Sequence, residues 1–463
     1  MLVATRRELR LAGLAAWLLG TAGLCVYLAP DGRTATLAAA GVAGVAVAVA
    51  GSALLLRRPW VLAFATLVCI PIRVPVDVGA EEANLLLPLY AVVAALAVAL
   101  GWQLLRGDDR SRELGSIALP LAAVVAWTGL ALLWTDDLRQ GAIFLAAFVL
   151  PFGILAIGFA RLPWSRRAVL ALYGALVATA LAYAGVGLYQ WGTREIFWNP
   201  KLQVDNAYAP FFRVNSVFWD PSIYGRYLVV AILATLALVL LGLRERLLAA
   251  GIAAIAVLWA GLLFSFSQSS FAALLAGTLA AATFAWRWRA AAVLALLAVA
   301  VVAVAFATPQ VRTKLLDESR AGLNAATSGR AGLVSNGLKI AVDQPVLGVG
   351  TGGFKRAYAD RTGLRGRDPK KAASHSTPVT VAAETGITGL ALLAWLGLAS
   401  LVLAFRSRGR TAAGGTALAA GLTLGAIAVH SLFYNALFED PTMWGLLGLI
   451  ALATARRTDE APG

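Results

Sequence analysis

Two histidines and a few arginines at the margins of apolar runs carry most of the chemistry open to this 463-residue chain. His375-Ser376 is followed by nine residues, Thr377 to Thr385, and then by Gly386-Ile387-Thr388-Gly389. If a helix begins there, Ser376, Thr380 and Glu384 fall at i, i+4 and i+8 and form one polar stripe on an apolar helix. A histidine at the mouth of that helix is placed to take a proton from an incoming hydroxyl or to bind phosphate. His430 lies within an apolar run and reads as a helix-packing hydrogen-bonder. The planar arginine fork suits phosphate because it gives two parallel charged hydrogen bonds. Arg226 sits one turn into an apolar run that starts after Pro221. A charge inside a membrane segment costs about 2.5–3.5 kcal/mol on insertion scales, so such residues are paired or functional. Snorkelling to headgroups is the alternative for Arg226. Arg213, in the aromatic stretch Phe211 to Pro221, is either an ordinary flank or an anion ligand.

Arg330 stands at the start of an amphipathic helix whose Leu333, Val334, Leu338, Ala341 and Val342 share a face; proline at 345 ends it. Arg330 reads first as a solvated residue and second as a phosphate ligand. The segment Gln344 to Phe354 contains Gly348 and Gly350 among its glycines. These allow close backbone approach and N–H groups that cradle an anion, or they make a plain tight turn. The segment is neither a P-loop nor a dinucleotide fingerprint. Ser265 to Ser270 read as a cap or tight turn.

These residues must be positioned by a membrane scaffold. The chain is 60% hydrophobic and only 14% charged, with a mean hydropathy of +0.77. Soluble domains are nearer half apolar and a quarter charged. The fold class is therefore an all-α polytopic membrane protein, a single domain over 1–463 with a short outer loop at 192–221 and a long extracytoplasmic loop at 308–378 that carries the site. Fourteen apolar runs are expected: 11–29, 35–56, 60–72, 84–105, 116–134, 140–160, 167–191, 222–242, 247–265, 270–286, 290–307, 379–405, 412–436 and 441–455. The third and the last are short, which sets the expected helix number at about 12–14. The first seven hold little chemistry, and small residues such as Gly41 and Gly44 serve helix packing there.

Charge sets the orientation. Of the 39 basic residues, twenty fall in alternate segments on one side, seven in short segments on the other, and twelve in the central loop. The positive-inside rule then places both termini in the cytoplasm and the central loop outside. The first run, after Arg6, Arg7 and Arg10, reads as a retained helix. Acids of the outer loops, namely Asp31, Asp77, Glu81, Glu82, Asp136, Asp137, Glu439 and Asp440, read as solvated headgroup-level charge. The net charge of +15 is spread between apolar runs, which excludes a nucleic-acid face. Cys25 and Cys69 lie in apolar runs and read as small core residues. With two histidines and no metal-ligand spacing, no metal and no cofactor are expected.

The motifs, taken together, resemble the O-antigen ligase and polymerase superfamily. Its ligases show His, then Asn, Ser or Gln, nine residues, then Gly, as in His375, Ser376 and Gly386. Pro345-Val346-Leu347-Gly348-Val349-Gly350 followed by Phe354 is similar to the family's glycine segment. Arg213 to Pro221 is similar to its Arg-x-x-Gly-x-Phe-x-x-Pro stretch, with Ser216 in place of the glycine. The arginine that the family commonly has after a serine near Ser269-Ser270 is missing. The resemblance covers roughly Ala207 to Leu390 by motif. It implies a GT-C-type helical bundle in the plasma membrane and metal-independent transfer of a glycan from polyprenyl diphosphate to an acceptor hydroxyl, outside the membrane, in cell-surface polysaccharide biosynthesis. By that resemblance Arg213 and Arg330 hold the diphosphate and His375 assists at the reacting centre. Arg226 is added as a diphosphate ligand on its membrane depth, with Ser376, Glu384, Gly348 and Gly350 in support. The acceptor is a glycan, a lipid or a protein. Growth of lipid-linked repeat units is the alternative reaction. A flippase for the same lipid-linked glycan is the alternative of another class, and it predicts charges inside many helices, which these runs lack.

Overall fold

The computed structural model describes residues 6–29, 34–78, 81–108, 113–208, 211–241, 245–307, 330–363 and 374–459. In chain order the elements are α1 (Arg6–Leu28), α2 (Thr34–Arg57), α3 (Val61–Cys69), the strands β1 (Val74–Val78) and β2 (Glu81–Leu85), α4 (Leu87–Leu105), α5 (Ala118–Leu130), α6 (Leu138–Phe144), α7 (Leu150–Ala160), α8 (Arg166–Thr193), α9 (Pro200–Tyr208), α10 (Pro221–Leu240), α11 (Glu245–Ser265) and α12 (Gln268–Ala307). After these come α13 (Arg330–Asp343), α14 (Phe354–Thr362), α15 (Thr377–Arg406), α16 (Ala412–Ser431) and α17 (Pro441–Asp459). The chain is an all-α, multi-pass membrane protein. Among the described residues, ten helical stretches are long and apolar enough to cross a bilayer. Helices prevail because hydrocarbon offers backbone amides no other partner.

The local signals are plain. Asp220 and Asp440 each precede a proline that opens a helix. Their carboxylates accept the N–H groups of Ser222 (2.6 Å) and Thr442 (2.9 Å), as N-caps do. α10 is the most enclosed helix, with Tyr224, Leu228 and Leu233 fully buried. It packs against α8 and α11 on one side, and Ala237 meets Ala281 of α12 and Leu418 and Leu422 of α16 on another. Trp444 of α17 centres a second cluster with Phe152 of α7 and Leu89 of α4.

Two expectations are corrected. The run 60–72 yields only the nine-residue α3, about 13 Å long, because Pro71 ends it. A two-stranded antiparallel hairpin follows, pairing Val74 with Leu85. The runs 270–286 and 290–307 form one continuous helix of 40 residues, α12. Alanine and arginine between Arg287 and Ala292 are strong helix formers and no glycine or proline interrupts them; within α12, Gln268–Ala285 is long and apolar enough to cross a bilayer.

The helix that matters most is broken. At Gly386 (φ 68°, ψ −173°) α15 leaves helical geometry, and the freed carbonyls find other donors. Ala383 accepts from Val349 N–H (2.9 Å) and Glu384 from Gly350 N–H (2.8 Å), while Thr385 accepts from Trp127 Nε1 (3.0 Å). The freed N–H of Ile387 donates to Pro345 O (2.7 Å). The glycine loop between α13 and α14 thus completes the main-chain bonding of a membrane helix. Gly386→Ala would drive a Cβ into the Val346 carbonyl at a backbone angle that disfavours side chains. Its expected outcome is loss of monodisperse protein on gel filtration after detergent extraction.

Candidate active site

The break in α15 and the glycine loop wall one side of a cleft. Gln140, Phe144, Trp127 and Thr128 close it from α5 and α6, Thr377, Thr380 and Glu384 from α15, Lys355 from α14, and Asn435 to Glu439 from the α16–α17 linker. Of the expected polar stripe, Thr380 and Glu384 line the cleft, whereas Ser376 precedes the helix in an extended conformation and is not among the lining residues. The Glu384 carboxylate accepts the Phe354 N–H (3.3 Å) and also faces the Gly352 N–H. The group cradled by the glycine segment is thus the chain's own Glu384 carboxyl. Gly348 and Gly350, at φ 67° and 89°, stand where a Cβ would strike the backbone of Glu384 and of Thr135. Thr351 fixes the loop from the other side, its hydroxyl donating to Thr128 O (2.8 Å).

The α16–α17 linker is the second wall. Arg226 lies 4% exposed and its Nε meets Asp440 Oδ2 at 3.0 Å, with Nη1 donating to Ala436 O (3.4 Å). Asp440 is 3% exposed, so the expectation that it is a solvated loop acid is overturned: a buried guanidinium needs a counter-charge. Phe438 O accepts from Trp444 Nε1 (2.9 Å), and the Phe438 ring meets Phe144 edge-on at 5.7 Å. Burial pushes the Glu439 carboxyl above the ordinary carboxylate range, against the pull of Arg73, Arg226 and Lys355. Burial likewise raises the Tyr434 phenol, helped by Asp220 and Glu439. His430 Nε2 pairs with Ser269 Oγ (3.0 Å) and its ring lies 5.5 Å from that of Tyr434, the packing role expected of it.

His375 immediately precedes this cleft wall in a left-handed conformation, φ 54°, partly buried. Ser374 holds the turn, its Oγ accepting Ser376 N–H (3.1 Å) and pairing with Thr380 Oγ1 (2.6 Å). Ser376 is the N-cap residue of α15 without a side-chain cap bond. Arg213 is half-buried. Its backbone exchanges two hydrogen bonds with the Asn206 side chain (2.9 and 3.0 Å), and its Nε donates to Ser265 O (3.3 Å). Ser216 has φ 53°; this is the geometry that glycine fits best, held here by Gln190 Oε1 accepting the Ser216 N–H (2.7 Å). Arg330 opens α13, and its side chain lies outside the described residues.

A chain of contacts links the parts. Arg213 meets the Ser265 turn, Ser267 pairs with Ser269 (3.1 Å), Ser269 meets His430, and His430 meets Tyr434 at the linker. Residues that the sequence reading passed over are Trp127 and Gln140 from the first seven runs, Lys355, and above all Glu439 and Asp440. One signal pointed to the last pair: Arg226 inside a membrane run calls for an acid on the same side, and Asp440-Pro441 repeats the capping pattern of Asp220-Pro221.

Residues 252–394 match a family model described as O-antigen ligase. No curated protein matches the chain. The matched segment contains the glycine loop, His375, the stripe with Glu384 and the break at Gly386.

Proposed function

We propose, from the match of residues 252–394 to the O-antigen ligase model, that the chain transfers a glycan from a polyprenyl-diphosphate carrier to an acceptor hydroxyl at the outer face of the plasma membrane. The same match supports a part in polysaccharide biosynthesis. The observation that best supports the specific reaction is the cleft along the first turns of α15, where hydroxyls, a lysine and two carboxylates meet and whose lining residue Thr377 follows His375 by two positions. Arg213 and Arg330 hold the diphosphate, and His375 faces the charge that develops on it as the glycosidic bond breaks. Fixed cations near a leaving diphosphate stabilise it without a metal, in a GT-C-type bundle with both termini in the cytoplasm.

Arg226 has a different part in this reading. Asp440 occupies its guanidinium, so it tethers the linker and shapes the cleft electrostatically. Ser376 starts the wall, and Gly348 and Gly350 let the loop clasp Glu384. Ligation and polymerisation differ only in which hydroxyl attacks.

Purified protein in vesicles with polyprenyl-diphosphate glycan and a chelator is expected to move glycan to an acceptor. Transfer that requires added divalent metal would overturn the metal-independent mechanism, and no transfer at all would overturn the reaction. Arg330→Lys is expected to lower the rate by about tenfold or more, because a point charge replaces a two-pronged donor. An unchanged rate would remove Arg330 from the diphosphate site.

A further inference from the structure

Resting on the transfer reading above, we infer that the Glu439 carboxylate takes the proton of the acceptor's attacking hydroxyl, in a cleft that holds the acceptor as a sugar. The argument starts from which acids are already engaged. Glu384 is committed to the amides of the glycine loop. Asp440 is committed to Arg226 and to the start of α17. Glu439 lines the cleft, and among the described residues its carboxylate makes no hydrogen bond and no ion pair.

The backbone that carries this carboxylate is nevertheless held in place on both sides. The residue before it is fixed by Trp444 and Phe144, and the residue after it by Arg226. Preorganised placement of this kind is what a proton acceptor needs. The walls fit a neutral sugar better than a second phosphate. Phe144 and Phe438 offer apolar faces, and Gln140, Thr377, Thr380 and Asn435 offer hydrogen bonds. Two carboxylates against one lysine give the cleft no surplus of positive charge.

Charged and titratable groups face Glu439 from every neighbouring element. They are Arg73 after α3, Tyr90 of α4, Arg226 of α10, Lys355 of α14, Glu384 of α15 and Tyr434 of the linker itself. The cations oppose the effect of burial but do not cancel it, so the carboxylate is a stronger base than a solvated one. In the step itself the acceptor oxygen bonds to the anomeric carbon as its proton passes to Glu439. The bond from that carbon to the phosphate oxygen breaks, and its electron pair leaves on the polyprenyl diphosphate. Glu439 then returns the proton to solvent.

The test uses full-length Glu439→Gln and Glu439→Asp in vesicles, with polyprenyl-diphosphate glycan as donor and membrane extract of the producing cell as acceptor source. Glu439→Gln is expected to bind donor within about twofold of wild type and to transfer at least about 100-fold more slowly, the usual span of base catalysis. The wild-type rate rises with pH as the carboxylate ionises; that acidic limb is expected to vanish in Glu439→Gln and to shift in Glu439→Asp. A wild-type rate in Glu439→Gln, or an unchanged acidic limb in either variant, overturns the inference. Loss of donor binding together with transfer also overturns it, in favour of a structural role. A wild-type protein that binds donor but never transfers glycan overturns the transfer reading itself.

Discussion

Replacing His375 by alanine is expected to lower glycan transfer by about 100- to 1,000-fold, the loss seen when one preorganised donor to a developing negative charge is removed. The protein is expected to remain folded, because the turn before α15 is held by Ser374, through its bonds to Ser376 and Thr380. His375→Gly sharpens the test. The left-handed backbone at His375 costs a side-chain-bearing residue about 1–2 kcal/mol, which glycine does not incur. His375→Gly should therefore unfold at a temperature no lower than His375→Ala while being equally inactive. Strain kept at a residue that stability would rather lose is a mark of function. Transfer at the wild-type rate by either variant would remove His375 from the reaction.

Neutralising Asp440 is expected to have the largest effect on stability. Arg226 and Asp440 are 4% and 5% exposed in their side chains, and breaking one partner of a buried pair costs about 3–5 kcal/mol. Asp440→Asn keeps an oxygen for the Thr442 N–H and so isolates the loss of charge from the loss of the cap. A fall of many degrees in thermal unfolding in detergent is expected. Arg226→Leu combined with Asp440→Asn should recover much of it, because no buried charge is then left alone. An Asp440→Asn protein as stable as wild type would mean that the pair holds nothing together.

The sequence announced the scaffold more clearly than the site. Long apolar runs can satisfy their amides in hydrocarbon only as helices, so hydropathy alone located nearly all of them. It failed where hydropathy and helix propensity disagree. Arg287 and Arg289 looked like a loop by charge, yet their neighbours keep the backbone helical through α12. In the site, the stripe of Thr380 and Glu384 was legible because helical spacing is a local property. The purpose of the glycine loop was not, since Gly348 meets Glu384 only through the tertiary fold. Glu439 and Asp440 adjoin in sequence and have similar chemistry, and nothing local says that one pairs with Arg226 while the other faces the cleft.

The docking of the glycine loop onto the interrupted α15 bears on how the molecule comes apart. A surface segment ordinarily melts before the framework it decorates. Here the amides of Val349 and Gly350 supply bonds that Ala383 and Glu384 would otherwise lack in a lipid environment. Peeling the loop away would strand two carbonyls in an apolar medium. The short helices α13 and α14 should therefore lose protection against amide exchange together with the first turns of α15, as one cooperative unit.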